Sequence, residues 1–359
     1  EKGLKRTLTA GSLIALGIGA IIGAGLFVRT AAAAAQNAGP SVTLGFIVAA
    51  IGCALAGLCY AELSSSIPIA GSAYTYSYAT MGELVAWIIG WDLVLEYAVG
   101  AATVGIAWSE YLNNLLINVL HVNPIPYQWC HSPFEYNVEG VHGIINLPAL
   151  GIVTLLSLLL IKGTQESAFV NGIIVIAKVA IVILIIVLGW GFISPANHTP
   201  YIPAPGTYTD HQGISHSYGG IMGILGAAGV VFFAFIGFDA VSTAAQEAKN
   251  PKKDMPIGIL GSLAVCTVLY ILFAHVLTGL APVEFFRTTG KEASVAAAIH
   301  ASMPGYEWLG KLVTVAILAG FSSVILVMLL GQSRVFYSMS RDGLLPKMFS
   351  AVHPKYKTP

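Results

Sequence analysis

One lysine lies where a charge is expensive. Lys178, in VIAKVAIVILIIV, sits nine residues into a long apolar run, about 13–14 Å deep at the rise of an α-helix. An ionisable side chain at the middle of a membrane costs ~2.5–3.5 kcal/mol even on the lenient insertion scale. A lysine that merely snorkels sits near the end of a span, and Lys178 does not. It is either a cation satisfied by carbonyls for packing, or a cation inside a helix bundle that loads and releases a proton.

A second ionisable group lies at similar depth. Glu96, in WDLVLEYAVG, follows Asp92 by one helical turn on the same face. The expectation is an interior, hydrogen-bonded Glu96 open to protonation, with Asp92 nearer water. His275 is the one histidine inside a span, and no span pairs His with Glu at metal-ligand spacing. No Ser/His/Asp set falls at one depth either. Neither a metal, a cofactor nor an enzymatic reaction is therefore expected.

The third candidate is backbone rather than side chain. The first apolar run, LGIGAIIGAGLFV, holds Gly17, Gly19, Gly23 and Gly25 and no charge. A dinucleotide fingerprint fails here, because the required third glycine is Ile22 and the setting is not a strand followed by a helix. Gly19 and Gly23 fit a close helix–helix contact. They also fit a broken helix, whose freed N–H groups attract an anion and whose freed carbonyls attract a cation. Such a break reads the α-amino-carboxylate of an amino acid without a charged side chain. The sixth run, GAAGVVFFAFIGFDAVSTAAQE, offers a second candidate break with Gly226, Gly229 and Gly237. Paired discontinuities in two halves of a chain point to a transporter site.

These residues must be positioned by membrane helices. The 359-residue chain is 56% hydrophobic and 9% charged, with mean hydropathy +0.78, against about a quarter charged in soluble domains. Apolar runs predict eight spans, at about 9–35, 42–66, 83–117, 144–162, 169–193, 217–247, 257–281 and 311–340. Lys2, Lys5, Arg6, Lys162, Lys249, Lys252, Lys253, Arg334, Arg341, Lys347, Lys355 and Lys357 fall on one side. Arg29, Arg287, Lys291 and Lys311 fall on the other. The richer side is predicted to be cytoplasmic, with both chain ends on it. Cys130 is alone in the exterior loops, so no intrachain disulfide is expected there. No basic stripe suggests nucleic acid, and no repeated polar backbone suggests a channel filter.

Five stretches in order resemble the amino acid–polyamine–organocation (APC) superfamily, most closely the bacterial members of its cationic amino acid transporter family. They are GIGAIIGAGLFV, CYAELSSSIPIAGSAYTY, GWDLVLEYAVG, IGFDAVSTAAQEAKNPKKDMPIGI and GQSRVFYSMSRDGLLPK. The resemblance implies an all-α membrane fold of the leucine-transporter type, with five plus five inverted-repeat helices and breaks in the first and sixth. Residues 1–193 would form the first repeat, and 194–359 the start of the second. The second repeat would be incomplete, the chain being expected to be a piece of a longer protein.

The same resemblance implies the site. The substrate carboxylate would meet the N–H groups of Gly23, Ala24 and Gly25, and its ammonium the carbonyls of Ile21, Phe233, Ala234 and Ile236. Phe233 would also be an aromatic gate. Sodium-coupled relatives hold an ion between carbonyls matching Gly19 and Ile22 and hydroxyls matching Ser322 and Ser323. In proton-coupled relatives a lysine matching Lys178 stands in for that ion. The expected function is proton-coupled symport of an amino acid across the cell (inner) membrane by alternating access, with sodium coupling or obligate exchange as the alternative. Met328 and its leucine neighbours favour alanine-like side chains, while the family label and an ionised Glu96 would favour arginine or lysine. The expected partners are the amino acid, protons and the lipid bilayer, with an accessory membrane subunit left open.

Overall fold

The computed structural model describes residues 6–23, 25–69, 71–135, 140–162, 164–209, 214–288, 294–353 and 358. Its helices run in the order α1 (Ala10–Ile21), α2 (Thr30–Ala33), α3 (Val42–Ser66), α4 (Ala73–Met81), α5 (Glu83–Asn118), α6 (Leu147–Lys162) and α7 (Thr164–Trp190). An antiparallel hairpin of β1 (Gly206–Thr209) and β2 (Ser215–Tyr218) follows. Then come α8 (Gly220–Phe232), α9 (Pro251–Leu280), α10 (Val283–Thr288), α11 (Ser294–Ser302) and α12 (Glu307–Arg341).

Among the described residues, six helical stretches are long and apolar enough to cross a membrane: Gly25–Ser66, Glu83–Ile117, Ala168–Trp190, Gly220–Glu247, Pro251–Leu280 and Glu307–Arg341. The eight-span expectation is modified at two places. The run at 9–35 is not one helix, because α1 has only 12 residues and stops at Ile21. The run at 144–162 yields the 16-residue α6, roughly 24 Å long against a ~30 Å hydrocarbon core. Two elements were not expected. The short α4 occupies a stretch read as a connection, and the β1–β2 hairpin adds a little sheet to an otherwise helical chain.

Local chemistry explains the ends that frame the site. Thr9 caps α1, its Oγ1 accepting from the Ser12 amide at 3.3 Å. Ser72, with φ +53°, and Gly82, with φ +88°, bound α4 and turn the chain sharply into α5. Apolar side chains such as Leu55 (63% exposed) and Ile176 (72%) point away from the bundle, as lipid-facing residues must. The core forms where α12 packs against α5, α7 and α1, and where α9 packs against α1 and α3. Lys178 on α7, Tyr270 on α9 and Ser323 on α12 are thereby turned toward the end of α1.

Candidate functional site

A helix leaves its last four carbonyls without intrahelical partners, and at the end of α1 these are put to use. Ile22 leaves the helix at φ −76° and ψ 102°. A bend follows at Gly23, and the chain re-enters a wide helical turn at Gly25–Arg29. Ala24, predicted to contribute an N–H here, lies outside the described residues. Lys178 Nζ donates to Gly19 O at 3.0 Å and to Ile22 O at 2.7 Å, and its side chain is fully buried. Ser323 Oγ lies 3.0 Å from the same Gly19 oxygen and also meets Asn171 Oδ1. Asn171 Nδ2 in turn donates to Ala15 O at 3.2 Å. Among the described residues Lys178 has no carboxylate partner, so carbonyl dipoles alone meet its charge.

The sixth run breaks as well. After α8, one tight turn at Phe233–Phe235 leads to Ile236 in an extended conformation and to Gly237 at φ +108°. That backbone conformation belongs to glycine. A tight helix resumes at Asp239–Glu247. The two breaks touch: a Cβ on Gly25 would overlap Ala234 Cα. Tyr270 joins them too, its Oη 2.8 Å from Ile21 O and 2.9 Å from Ala234 O. Just beyond, Tyr97 Oη donates to Asp239 Oδ2 at 2.7 Å, and Asp239 is buried.

Between the breaks and α5 lies a cavity of about 540 Å³. Ile21, Gly23, Gly25, Phe233, Ile236 and Met328 all line it, so six of the predicted substrate-site residues share one cavity. Phe233 is 45% exposed and therefore projects into the space. The Arg29 guanidinium lies 5.4 Å from its ring centroid, within cation–π range. Asp92 and Glu96 line the opposite wall.

Three of the expected site residues sit in surroundings of their own. Glu96 is open to the cavity rather than enclosed, because α5 presents it to the gap facing the first break. Ser322 points away from Lys178. Its Oγ accepts from Trp108 Nε1 at 3.0 Å and donates to Leu318 O at 2.9 Å, since neighbours on a helix face different directions. Ala234 is buried and its carbonyl is turned to Tyr270. The His275 ring lies 4.5 Å from that of His198 in the loop after α7.

Sequence reasoning missed Tyr270, Asp239, Asn171 and Arg29. A charged Asp239 within an apolar run carried the same signal as Lys178 and was readable. Tyr270 and Asn171 gave no such signal, because an uncharged polar residue in a span is common.

The sequence of this chain is similar to those of known proteins along its length. The amino acid permease family model matches residues 8–359. The chain is 44% identical over 360 residues to the branched-chain amino acid permease BcaP of Bacillus subtilis, covering all of this chain and 72% of that protein. It is 43% identical over 360 residues to the methylthioribose transporter of the same organism, again over 72% of it. Similarity to cationic amino acid transporter 9, chloroplastic, of Arabidopsis thaliana is 39% over 354 residues, 98% of this chain and 58% of that one. Matched from its eighth residue to its last, this multi-span helical chain belongs to the amino acid permease family of the APC superfamily, with cationic-amino-acid-transporter-like members among its relatives.

Proposed function

We propose that the chain is the core of a proton-coupled amino acid symporter that works by alternating access. The observation that carries this reading is Lys178 Nζ seated on Gly19 O and Ile22 O beside Ser323 Oγ. An ammonium there occupies the place a sodium ion would need, so charge at that place depends on a proton. A ligand or proton shifts a conformational equilibrium only through its differential affinity for the two states. Protonated Lys178 holds the end of α1 in one arrangement, and the neutral amine, a weaker partner for carbonyls, releases it.

The substrate's carboxylate is assigned to the N–H groups of Gly23, Ala24 and Gly25, and its ammonium to carbonyls of Ile21 and, from the sixth-run break, Phe233 and Ile236. The break therefore recognises the part common to all amino acids, and the cavity selects the side chain. Met328, Val324, Leu95 and Val99 give that cavity apolar walls, which favours small neutral L-amino acids. Asp92 and Glu96 on the same cavity favour a second reading, cationic amino acids. The relatives named for branched-chain amino acids, cationic amino acids and methylthioribose define the substrate panel worth testing.

The fold assigned is the five-plus-five inverted repeat, with residues 1–193 as the first repeat and 194–359 as the start of the second. Both chain ends are assigned to the cytoplasm. Thr7 and Leu8 pair with Glu247–Lys249 at one end of the bundle, where the chain's Lys and Arg concentrate.

Proteoliposome uptake tests the proposal. Labelled alanine, leucine, arginine and methylthioribose are offered under an imposed pH gradient or an imposed sodium gradient. Accumulation of a neutral amino acid on the pH gradient alone is expected. Accumulation that follows sodium and ignores pH establishes the sodium-coupled rival, and uptake that needs internal amino acid and neither gradient establishes exchange.

A further inference from the structure

Resting on the amino acid reading above, we infer that Tyr270 is a positioning residue for the substrate's ammonium group. Its hydroxyl sets which break carbonyl is free to receive that group.

The inference comes from a count of protons. Tyr270 Oη lies 2.8 Å from Ile21 O and 2.9 Å from Ala234 O. A phenol has one O–H donor, so at any instant one of these contacts carries a hydrogen and the other is oxygen facing oxygen. The cluster is one donor short. Both residues are buried, but Ile21 lines the cavity and Ala234 does not. An ammonium entering the cavity can donate to Ile21 O from the front. The Tyr270 hydrogen then turns to Ala234 O, and every oxygen in the cluster has a donor. A fully alkylated nitrogen at the same place has no N–H to donate and leaves the shortage.

The tyrosine is built to stay in place. It is fully buried on α9, its ring 5.4 Å from that of Phe46 and 5.2 Å from that of Phe235. Among the described residues it is the side chain that hydrogen-bonds both breaks. Gly25 against Ala234 keeps those breaks in backbone contact, so a shift of one carbonyl moves the other. Lys178 holds Gly19 O and Ile22 O on either side of the residue whose carbonyl Tyr270 holds. The carbonyls at the end of α1 are therefore divided between a proton-carrying group and a substrate-orienting one.

The test compares wild type with Tyr270→Phe in proteoliposomes, reading KM and Vmax for labelled alanine. The variant keeps the ring packing and loses the hydroxyl. KM is expected to rise about tenfold, the worth of one hydrogen bond, with Vmax little changed. An unchanged KM, or a fall in Vmax alone, overturns the inference. A measurement on wild type alone guards against a variant that fails to fold. Competition against labelled alanine should weaken in the order alanine, N-methylalanine, N,N,N-trimethylalanine, the last failing at hundredfold excess. Equal competition by the trimethyl compound overturns the inference. Wild type that takes up no amino acid sinks the amino acid reading and this inference together, whereas wild-type uptake with an unaltered Tyr270→Phe KM sinks this inference alone.

Discussion

Lys178 Nζ lies 2.7 Å from Ile22 O, across the bundle from the helix that carries it. The ammonium therefore caps the carboxyl end of α1, where unpaired carbonyls and the helix dipole both favour a cation. It does so in place of the residues that would continue the helix. The interruption after α1 and the charge on α7 are one feature, since each leaves polar groups that the other satisfies.

Ser323 shares the Gly19 oxygen with Lys178, while the adjacent Ser322 serves Trp108. Ser323→Ala should therefore weaken proton-driven uptake, by roughly tenfold for one lost hydrogen bond. Ser322→Ala should leave the pH dependence of uptake unchanged. Initial rates measured across external pH distinguish the two, and identical effects contradict the assignment.

Gly25 permits the two breaks to touch. Gly25→Ala places a methyl against Ala234 Cα and should cost about 1–3 kcal/mol of packing strain. Uptake should be lost in a protein that still inserts. Gly52→Ala is the control, because a Cβ there meets nothing within 4 Å, and it should transport normally.

A buried ion pair ties the end of the sixth run to α12. Arg334 Nη2 and Glu247 Oε1 lie 2.6 Å apart with side chains 2% and 1% exposed. Removing one partner of such a pair strands the other charge, at about 3–5 kcal/mol. Arg334→Met should thus lower the unfolding midpoint sharply in detergent, and adding Glu247→Leu should restore much of it. A double variant as unstable as the single one contradicts the account.

How far the sequence discloses the site depends on what each residue does. Lys178 was legible because a charge in an apolar run has few explanations, and Gly23 and Gly25 were legible because glycine weakens a helix. Asp239 was equally readable and was passed over within a motif. Tyr270 was not readable: its part depends on a 2.8 Å contact with a residue 249 positions away. Glu96 and Ser322 failed for one reason. Depth along a helix follows from sequence position, but the direction a side chain faces follows from which neighbours pack around it. The short α4 and the β1–β2 hairpin escaped because positive-φ turns and polar loops carry no apolar period.

Glu96 offers a direct test of what the cavity selects. It faces the cavity across from the break, so Glu96→Gln should reduce competition by arginine more than competition by alanine. The measure is the ratio of inhibition constants against labelled alanine. A ratio that does not move shows that Glu96 takes no part in side-chain selection.

The central claim is that Lys178 couples transport to a proton. Lys178→Ala, reconstituted beside wild type, should still exchange internal for labelled external alanine, because the break backbone remains. It should no longer accumulate alanine when an inward pH gradient is imposed. Accumulation by the variant at the wild-type level on that gradient would contradict the account.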